Sequence, residues 1–550
     1  MSFDDSFESA SVELVDDNTE FFTPVAFDVI DRLLGQYQGE LEKIKKIAEV
    51  CTSIEYRGAM GYFMAASAAS ERTVCLNVDA VFNVEKAVFC LDARYWGEAL
   101  ALTDVYDCMP QARRDVWNAQ LRGEKYLGGG QHRFQNEKDK LDALPHFTED
   151  TVRGTLTDLL RMRAVFFSER IDGIFQGLSS DHVTNVPEGF SRRMIVGGML
   201  SYSMIEHRKA GLIGDLRAVV AKFMGRDEPK YSSNDVLLRE LYKQTGQWVE
   251  IDGGTLRIRV YKKGTAHIEV HPDMAWRLNQ VLAQLYPLAI PASFRTKPKT
   301  KAKEFQMMGR PLPFATLDLL SDGLCRRARG AAVNEFCFGF KAKEHKATYA
   351  DASNVLAALG GVLDPNRQGV FVFDYPVDGV IKSVIISGCL PDQKAHQYYP
   401  TPERLAKIAV DMADIVKSDA VLEPSAGQGG IADHLPKKQT TCIEISALHC
   451  EVLKAKGYKT KQADFLTAPT KPYDVVVMNP PFSEGRWLLH VEHAAAMLTS
   501  CGRLVAILPA SAKGKKLLDD SFTCEWSNVF EREFSGTSVS VVLLKAVRLA

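Results

Sequence analysis

From Tyr398 onward the chain alternates short apolar runs with helix-length spacers, and this pattern restricts the fold more than any other feature. The runs are DAVLEPS, TTCIEIS, YDVVVMNPP, GRLVAILPA and VSVVLLKAV, with a helix expected after each of the first three. Strands spaced in this way cannot pair as hairpins. They form a mostly parallel sheet covered on both faces, which is also what near-continuous apolar runs require. The last run follows closely on FEREFSGTS and is expected to be an antiparallel edge strand. Residues 393–550 therefore read as an α/β domain.

Before this domain the periodicity is different. With 550 residues the chain has room for about three to five domains. Residues 1–20 hold seven acidic and no basic side chains, which makes them an acidic tail and excludes a secretory signal. Residues 21–250 read as mainly helical, with apolar residues three and four apart in PVAFDVIDRLLGQY and RGTLTDLLRMRAVFFSERIDGIFQGL. Residues 251–290 read as a β-hairpin, LRIRVY and TAHIEV turning at Gly264, followed by a helix. Residues 291–332 read as a basic linker. Residues 333–392 read as a small α+β unit, in which GVFVFDY and VIKSVIISG are strand candidates joined by a turn at Asp378–Gly379.

Charge is unevenly placed. Residues 290–350 carry 12 Lys or Arg against 5 Asp or Glu, although the whole chain has a formal charge of −2. The densest part is Arg295, Lys297, Lys299, Lys301 and Lys303, interleaved with proline. Such a strip is extended, and it either tracks a phosphate backbone or is a solvated linker. No apolar run approaches the ~18 residues that span a bilayer, so no membrane partner is expected. The 11 cysteines are scattered and contain no CxxC pair, which points to reduced thiols in a cytoplasm and away from a zinc site. His490 and His493 in HVEH have helical spacing but no third ligand nearby, so no metal is expected.

Four motifs lie at the expected carboxyl ends of strands, where open α/β sheets bind ligands. In Val421-Leu-Glu-Pro-Ser-Ala-Gly-Gln-Gly-Gly430 a strand enters a small-residue turn, where Gly427 and Gly429 admit a ligand close to the backbone. Glu444 stands 21 residues after Glu423, at the next strand tip, placed to accept ribose hydroxyls. Asp464 follows at a third tip, placed to take an exocyclic adenine amine, with Phe465 beside it to pack on the ring. In Asn479-Pro-Pro-Phe482 two prolines stop the strand, so that the Asn479 side-chain carbonyl and the Pro480 main-chain carbonyl face the crevice. With Phe482 as a stacking face, the tetrapeptide Asn479, Pro480, Pro481, Phe482 suits a planar substrate bearing an NH2 group.

Taken in order, these motifs resemble a class I S-adenosylmethionine-dependent methyltransferase of the N6-adenine DNA type, over residues 398–550 and in the gamma arrangement. The resemblance implies a Rossmann-like fold, S-adenosylmethionine as cofactor and DNA as partner. YYPTP, with Tyr399, Thr401 and Pro402, resembles the segment that closes over the methionine end of the cofactor. Glu423, Pro424, Ser425, Ala426 and Gly427 resemble the cofactor loop. Glu444 and Ile445 resemble the ribose contact, Asp464 and Phe465 the adenine contact, and Asn479 the residue that joins cofactor site to catalysis. FSGTSVSVVLL resembles the closing β-hairpin. Such enzymes often carry a target-recognition domain after the catalytic region. Since the sequence stops at Ala550, recognition is expected from the first 400 residues, with Arg295 to Lys303 as the candidate DNA contacts. A second segment, ERIDGIFQGLSSDHVTNVPEGFSRRMIV with the hairpin and helix after it, resembles a domain of unknown function in phage- and plasmid-borne adenine methyltransferases, over residues 150–290. RNA guanine-N2 or adenine-N6 methyltransferases and protein glutamine methyltransferases present a similar planar amine. A non-catalytic DNA-binding protein that has kept the fold is the remaining alternative.

Overall fold

In the computed structural model, seven strands between Val421 and Arg548 form one sheet. The structure describes residues 27–68, 77–127, 130–134, 136–180, 182–201, 204–298, 307, 311–327, 334–339, 342–390, 399–469, 471–534 and 539–550. The strands are β1 (Val421–Pro424), β2 (Thr440–Glu444), β3 (Lys459–Gln462), β4 (Tyr473–Met478), β5 (Leu498–Pro509), β6 (Phe522–Trp526) and β7 (Val541–Arg548). They lie in the order β3-β2-β1-β4-β5-β7-β6. The five from β3 to β5 pair in parallel, and β7 runs antiparallel to both β5 and β6. The order reverses between β1 and β4, so the carboxyl ends of those two strands frame the crevice in which such sheets bind ligands.

The side chains of β4 show why the run is apolar throughout. Val475 and Val477 pack with Leu405, Ala406 and Ala409 of helix α1 (Glu403–Met412). Val476 and Met478 pack on the other face with Val491 and Ala494 of helix α3 (Arg486–Ala496). Helix α2 (Ala447–Ala455) joins β2 to β3. This is the Rossmann-like architecture read from the strand and helix alternation.

The structure corrects that reading at four places. The turn after β1 opens no α-helix, because only a 3-10 turn, Ala432–His434, lies between it and β2. Gly427, Gly429 and Gly430 on one side and Pro436 on the other leave too few residues for one. The antiparallel strand β7 is interior, and β6 takes the edge instead. VIKSVIISG is not a strand. Asp378–Ser387 is a helix whose Val380, Ile381, Val384 and Ile385 are buried at helical spacing, ended by left-handed Gly388. The stretch read as a linker folds in its second half: Phe314–Ser321 is a helix and Leu324–Arg327 a strand. That strand joins Asn334–Cys337, Val370–Phe373 and Val362–Leu363 in a four-stranded antiparallel sheet. Lys299, Lys301 and Lys303 lie outside the described residues.

These parts, with residues 232–243 and 250–254, make one of two compact units; residues 27–231, 244–249 and 255–306 make the other. In the second unit, helices Phe27–Thr52 and Val84–Ala101 bury Ile30, Tyr37, Tyr95 and Trp96 around Phe147. The helix Glu149–Arg161 opens with a capping box from Thr148 to Thr151. Arg170, buried, is held by Asp215 at 2.7 Å and Glu228 at 2.8 Å. The region also holds strands that helical periodicity did not reveal, among them Arg193–Val196, which pairs with the expected hairpin. The hairpin, Leu256–Tyr261 with Thr265–Val270, and the helix Pro272–Leu285 fall where the sequence placed them. No helix among the described residues is long and apolar enough to cross a membrane.

Candidate active site

The turn after β1 is held open by backbone conformations that only a few residues tolerate. Ser425, Gly427 and Gly429 have φ of +58°, +56° and +90°. For Ser425 the left-handed region costs about 1–2 kcal/mol, a strain that concentrates at ligand-binding turns. The loop is fixed to β2 by the Ala426 N–H, which donates to the Ile443 carbonyl at 3.1 Å. Glu444 fixes it a second time. One carboxylate oxygen accepts from the Gly427 N–H at 2.7 Å and the other from the Ser446 N–H at 2.8 Å, with the buried His449 ring 3.8 Å away. Burial pushes the Glu444 pKa up, but the His449 ring and the two N–H donors outweigh it and hold the carboxyl below its ordinary range. Glu444 is therefore an ionised clamp on the loop, with remaining lone pairs for a ligand hydroxyl.

Glu423, inside β1, is 3% exposed, and its Oε2 has no hydrogen-bond partner among the described residues. Burial first, and then the nearby Asp433, raise its pKa well above 4.5 against the N–H groups of Ala432 and Ile431. Pro424 ends the strand beside it, buried.

Asn479 begins the tetrapeptide at the carboxyl end of β4. Its Nδ2 donates to the Thr401 hydroxyl at 3.1 Å. No described group donates to its Oδ1, so the amide presents that oxygen as a ready acceptor. Thr401 also packs on the loop: a Cβ at Gly430 would sit 3.2 Å from the Thr401 carbonyl. One residue thus links the cofactor-like turn to the tetrapeptide. Tyr399 beside it is exposed, and Pro402 caps helix α1. Pro480 is buried, while Pro481 and Phe482 are partly so. Phe482 packs against the core that includes Leu405 and Phe534.

Asp464 caps a 3-10 turn, accepting from the Leu466 N–H at 3.1 Å, and faces the Arg486 guanidinium at 3.7 Å. Phe465 departs from the expected packing on a ligand ring. It is 2% exposed and its ring lies against His490 and His493, with centroids 5.3 and 4.8 Å away. The two histidines are thus core-facing. Burial is the main reason the His490 pKa falls to about 4. The ring sits 3.4 Å from the Ser425 hydroxyl, a neighbour that the sequence did not point to. Ile445 is half exposed. Among the described residues, no group of three His, Cys, Asp or Glu side chains could hold a metal ion.

Residues 417–532 match the family model described as "Methyltransferase small domain". This part of the chain is an S-adenosylmethionine-dependent methyltransferase domain. The buried Oε2 of Glu423 and the left-handed turn beside it fit that cofactor, whose amine can satisfy the one while the other leaves room for its main body. Residues 129–288 match "Domain of unknown function (DUF4942)". No curated protein matches the chain. Among solved structures, the chain is similar to TrmN from Thermus thermophilus, at 17% identity, covering 37% of this chain and 68% of that one with a TM-score of 0.25. It is also similar to a dimethyladenosine transferase from Plasmodium falciparum, at 16% identity, over 28% and 63% of the two chains with a TM-score of 0.24. A third similarity is to coclaurine N-methyltransferase bound to N-methylheliamine and SAH, at 19% identity, over 19% and 35% with a TM-score of 0.18. The strand order of the methyltransferase domain, rather than these scores, establishes its fold.

Proposed function

We propose that the methyltransferase domain acts on the N6 amine of adenine in DNA, with the base flipped out of the duplex to reach the crevice. The observation that carries this reading is the Asn479 amide, tied by its Nδ2 to Thr401 so that Oδ1 is left as an acceptor at the carboxyl end of β4. An aromatic exocyclic amine is a weak nucleophile, because its lone pair is shared with the ring. Asn479 Oδ1 and the Pro480 carbonyl would accept its two hydrogens, draw the nitrogen toward tetrahedral geometry and stabilise the positive charge that develops on it. The part of Phe482 that the core leaves exposed would stack on the base. Glu423, the 425–429 turn, Glu444 and Asp464 would hold S-adenosylmethionine, which supplies the electrophilic methyl group. Extrusion of the base costs a few kcal/mol, offset by stacking and backbone contacts. What supports a phage- or plasmid-type enzyme is the resemblance of residues 150–290 to a domain of unknown function in adenine methyltransferases of such elements.

The test is methyl transfer from labelled cofactor by the purified full chain, offered duplex DNA, ribosomal RNA and a protein extract separately. Label in DNA, recovered as N6-methyladenine after digestion, is expected. Label in RNA guanine or in protein glutamine would replace this substrate while leaving the methyltransferase domain as described.

A further inference from the structure

The hairpin Leu256–Tyr261 and Thr265–Val270 has two unlike faces. Leu256, Ile258, Val260, Ala266, Ile268 and Val270 are buried in the core. The alternate residues face the other way, in the register Arg257↔Glu269, Arg259↔His267 and Tyr261↔Thr265. A third strand adds Arg193 opposite Glu269.

Glu269 is the buried carboxylate of this face. Glu269, 2% exposed, accepts from Arg193 at 2.8 Å and from Arg257 at 2.7 Å, and both guanidiniums lie over the Trp248 ring. Arg259 has no carboxylate partner among the described residues; its guanidinium lies 5.2 Å over Tyr261, and its buried Nε has no hydrogen-bond partner. Lys262 and Lys263 at the turn are exposed and likewise unpaired among the described residues. The turn that carries them is rigid. Gly264 has φ +82°, its N–H donates to Tyr261, and its carbonyl accepts from the Met199 N–H at 2.7 Å. Beside it lies an open surface depression of ≈ 630 Å³, lined by Tyr261, Lys262, Lys263, His182 and His267 among others. The Tyr261 and His267 rings are 4.8 Å apart. Burial, and then Arg193, His182 and Arg259, keep His267 below its ordinary pKa, so at neutral pH it is an uncharged ring in a positive field.

Unpaired cations on a rigid turn, next to an open depression that the Tyr261 and His267 rings line, suit a nucleic-acid strand: phosphates on the first, an unstacked base against the second. We propose that this face of the region 193–270 docks the substrate DNA, with backbone phosphates at Lys262, Lys263 and Arg259 and a base against Tyr261 and His267. The proposal rests on DNA being the substrate and adds the surface that holds it.

The experiment measures binding of the full chain to a fluorescein-labelled DNA oligonucleotide by anisotropy, from 0.05 to 0.3 M salt. Lys262→Gln/Lys263→Gln changes only exposed turn side chains. Two lost phosphate contacts should weaken binding roughly 25-fold near 0.15 M salt, about five-fold for each, and flatten the slope of log affinity on log salt by about two units. Tyr261→Ala should weaken binding about ten-fold with the slope unchanged. Affinity for S-adenosylmethionine should be that of wild type in every variant. If wild type methylates DNA while the lysine variant binds with wild-type affinity and slope, the docking face is wrong and the substrate stands. If wild type neither binds nor methylates DNA, both fall.

Discussion

Thr401→Val tests the contact on which the proposed chemistry turns. The Thr401 hydroxyl accepts from Asn479 Nδ2 at 3.1 Å, and no described group holds Asn479 Oδ1. Valine keeps the shape of threonine and removes only that partner. A neutral hydrogen bond contributes about 0.5–1.5 kcal/mol net, which near 1 kcal/mol biases the two amide orientations about five-fold. Without it, a large share of the molecules would turn an NH2 group toward the substrate amine and repel it. The correctly turned share would then drop from about five-sixths to about half, so the single-turnover rate of methyl transfer should fall by up to about two-fold, while calorimetry gives an unchanged affinity for S-adenosylmethionine. Asn479→Ala should cost about 10²–10³, the scale of removing one group aimed at developing charge. The double variant should be no slower than Asn479→Ala, because the threonine acts through the asparagine. A wild-type rate for Thr401→Val would make the bond idle. A loss of cofactor affinity as large as the loss of rate would make Thr401 a cofactor contact instead, the role its place in YYPTP suggests.

The other predictions concern the turn and the strand before it. Gly427→Val forces a β-branched residue into φ +56° and disturbs the N–H that Glu444 holds, so affinity for S-adenosylmethionine should fall at least about ten-fold. Unchanged affinity by calorimetry would place the cofactor elsewhere. Glu423 has a folded pKa raised above 4.5. The folded chain therefore keeps a proton that the unfolded chain releases, and the stability this provides is present below pH 4.5 and lost as pH rises toward the folded value. The loss is at most about 1.4 kcal/mol per pH unit. Glu423→Gln removes this titration, so in cofactor-free protein its urea midpoint should gain on that of wild type between pH 5 and pH 8; parallel curves would contradict the buried neutral carboxyl.

The methyltransferase domain was legible because its central strands, β1 and β4 above all, are buried on both faces. Val475 to Met478 alternate between helices α1 and α3, so every position is apolar and the run stands out. Its motifs fall at strand ends, where a change from apolar to small or proline residues marks the boundary. What escaped the sequence was decided by tertiary contact. VIKSVIISG is rich in β-branched residues and suggests a strand, yet the burial of one helical face overrides that preference. Strand β6, FTCEW, has three exposed residues between two half-buried ones and gives almost no apolar signal. Phe465 follows Asp464 at a strand tip as a ligand-packing ring would, but side-chain direction there is set by α3, whose His490 and His493 draw it inward. The link between Thr401 and Asn479 spans 78 residues, and no local pattern encodes such a contact.

Whether Asn479 directs methyl transfer to adenine in DNA is read by nucleoside mass spectrometry of DNA and RNA from cells expressing the wild type or Asn479→Ala. N6-methyladenine is expected in DNA with the wild type, none above background with Asn479→Ala, and no new methylated nucleoside in RNA. New N2-methylguanine or N6-methyladenine confined to RNA, or equal N6-methyladenine in DNA from both proteins, would contradict it.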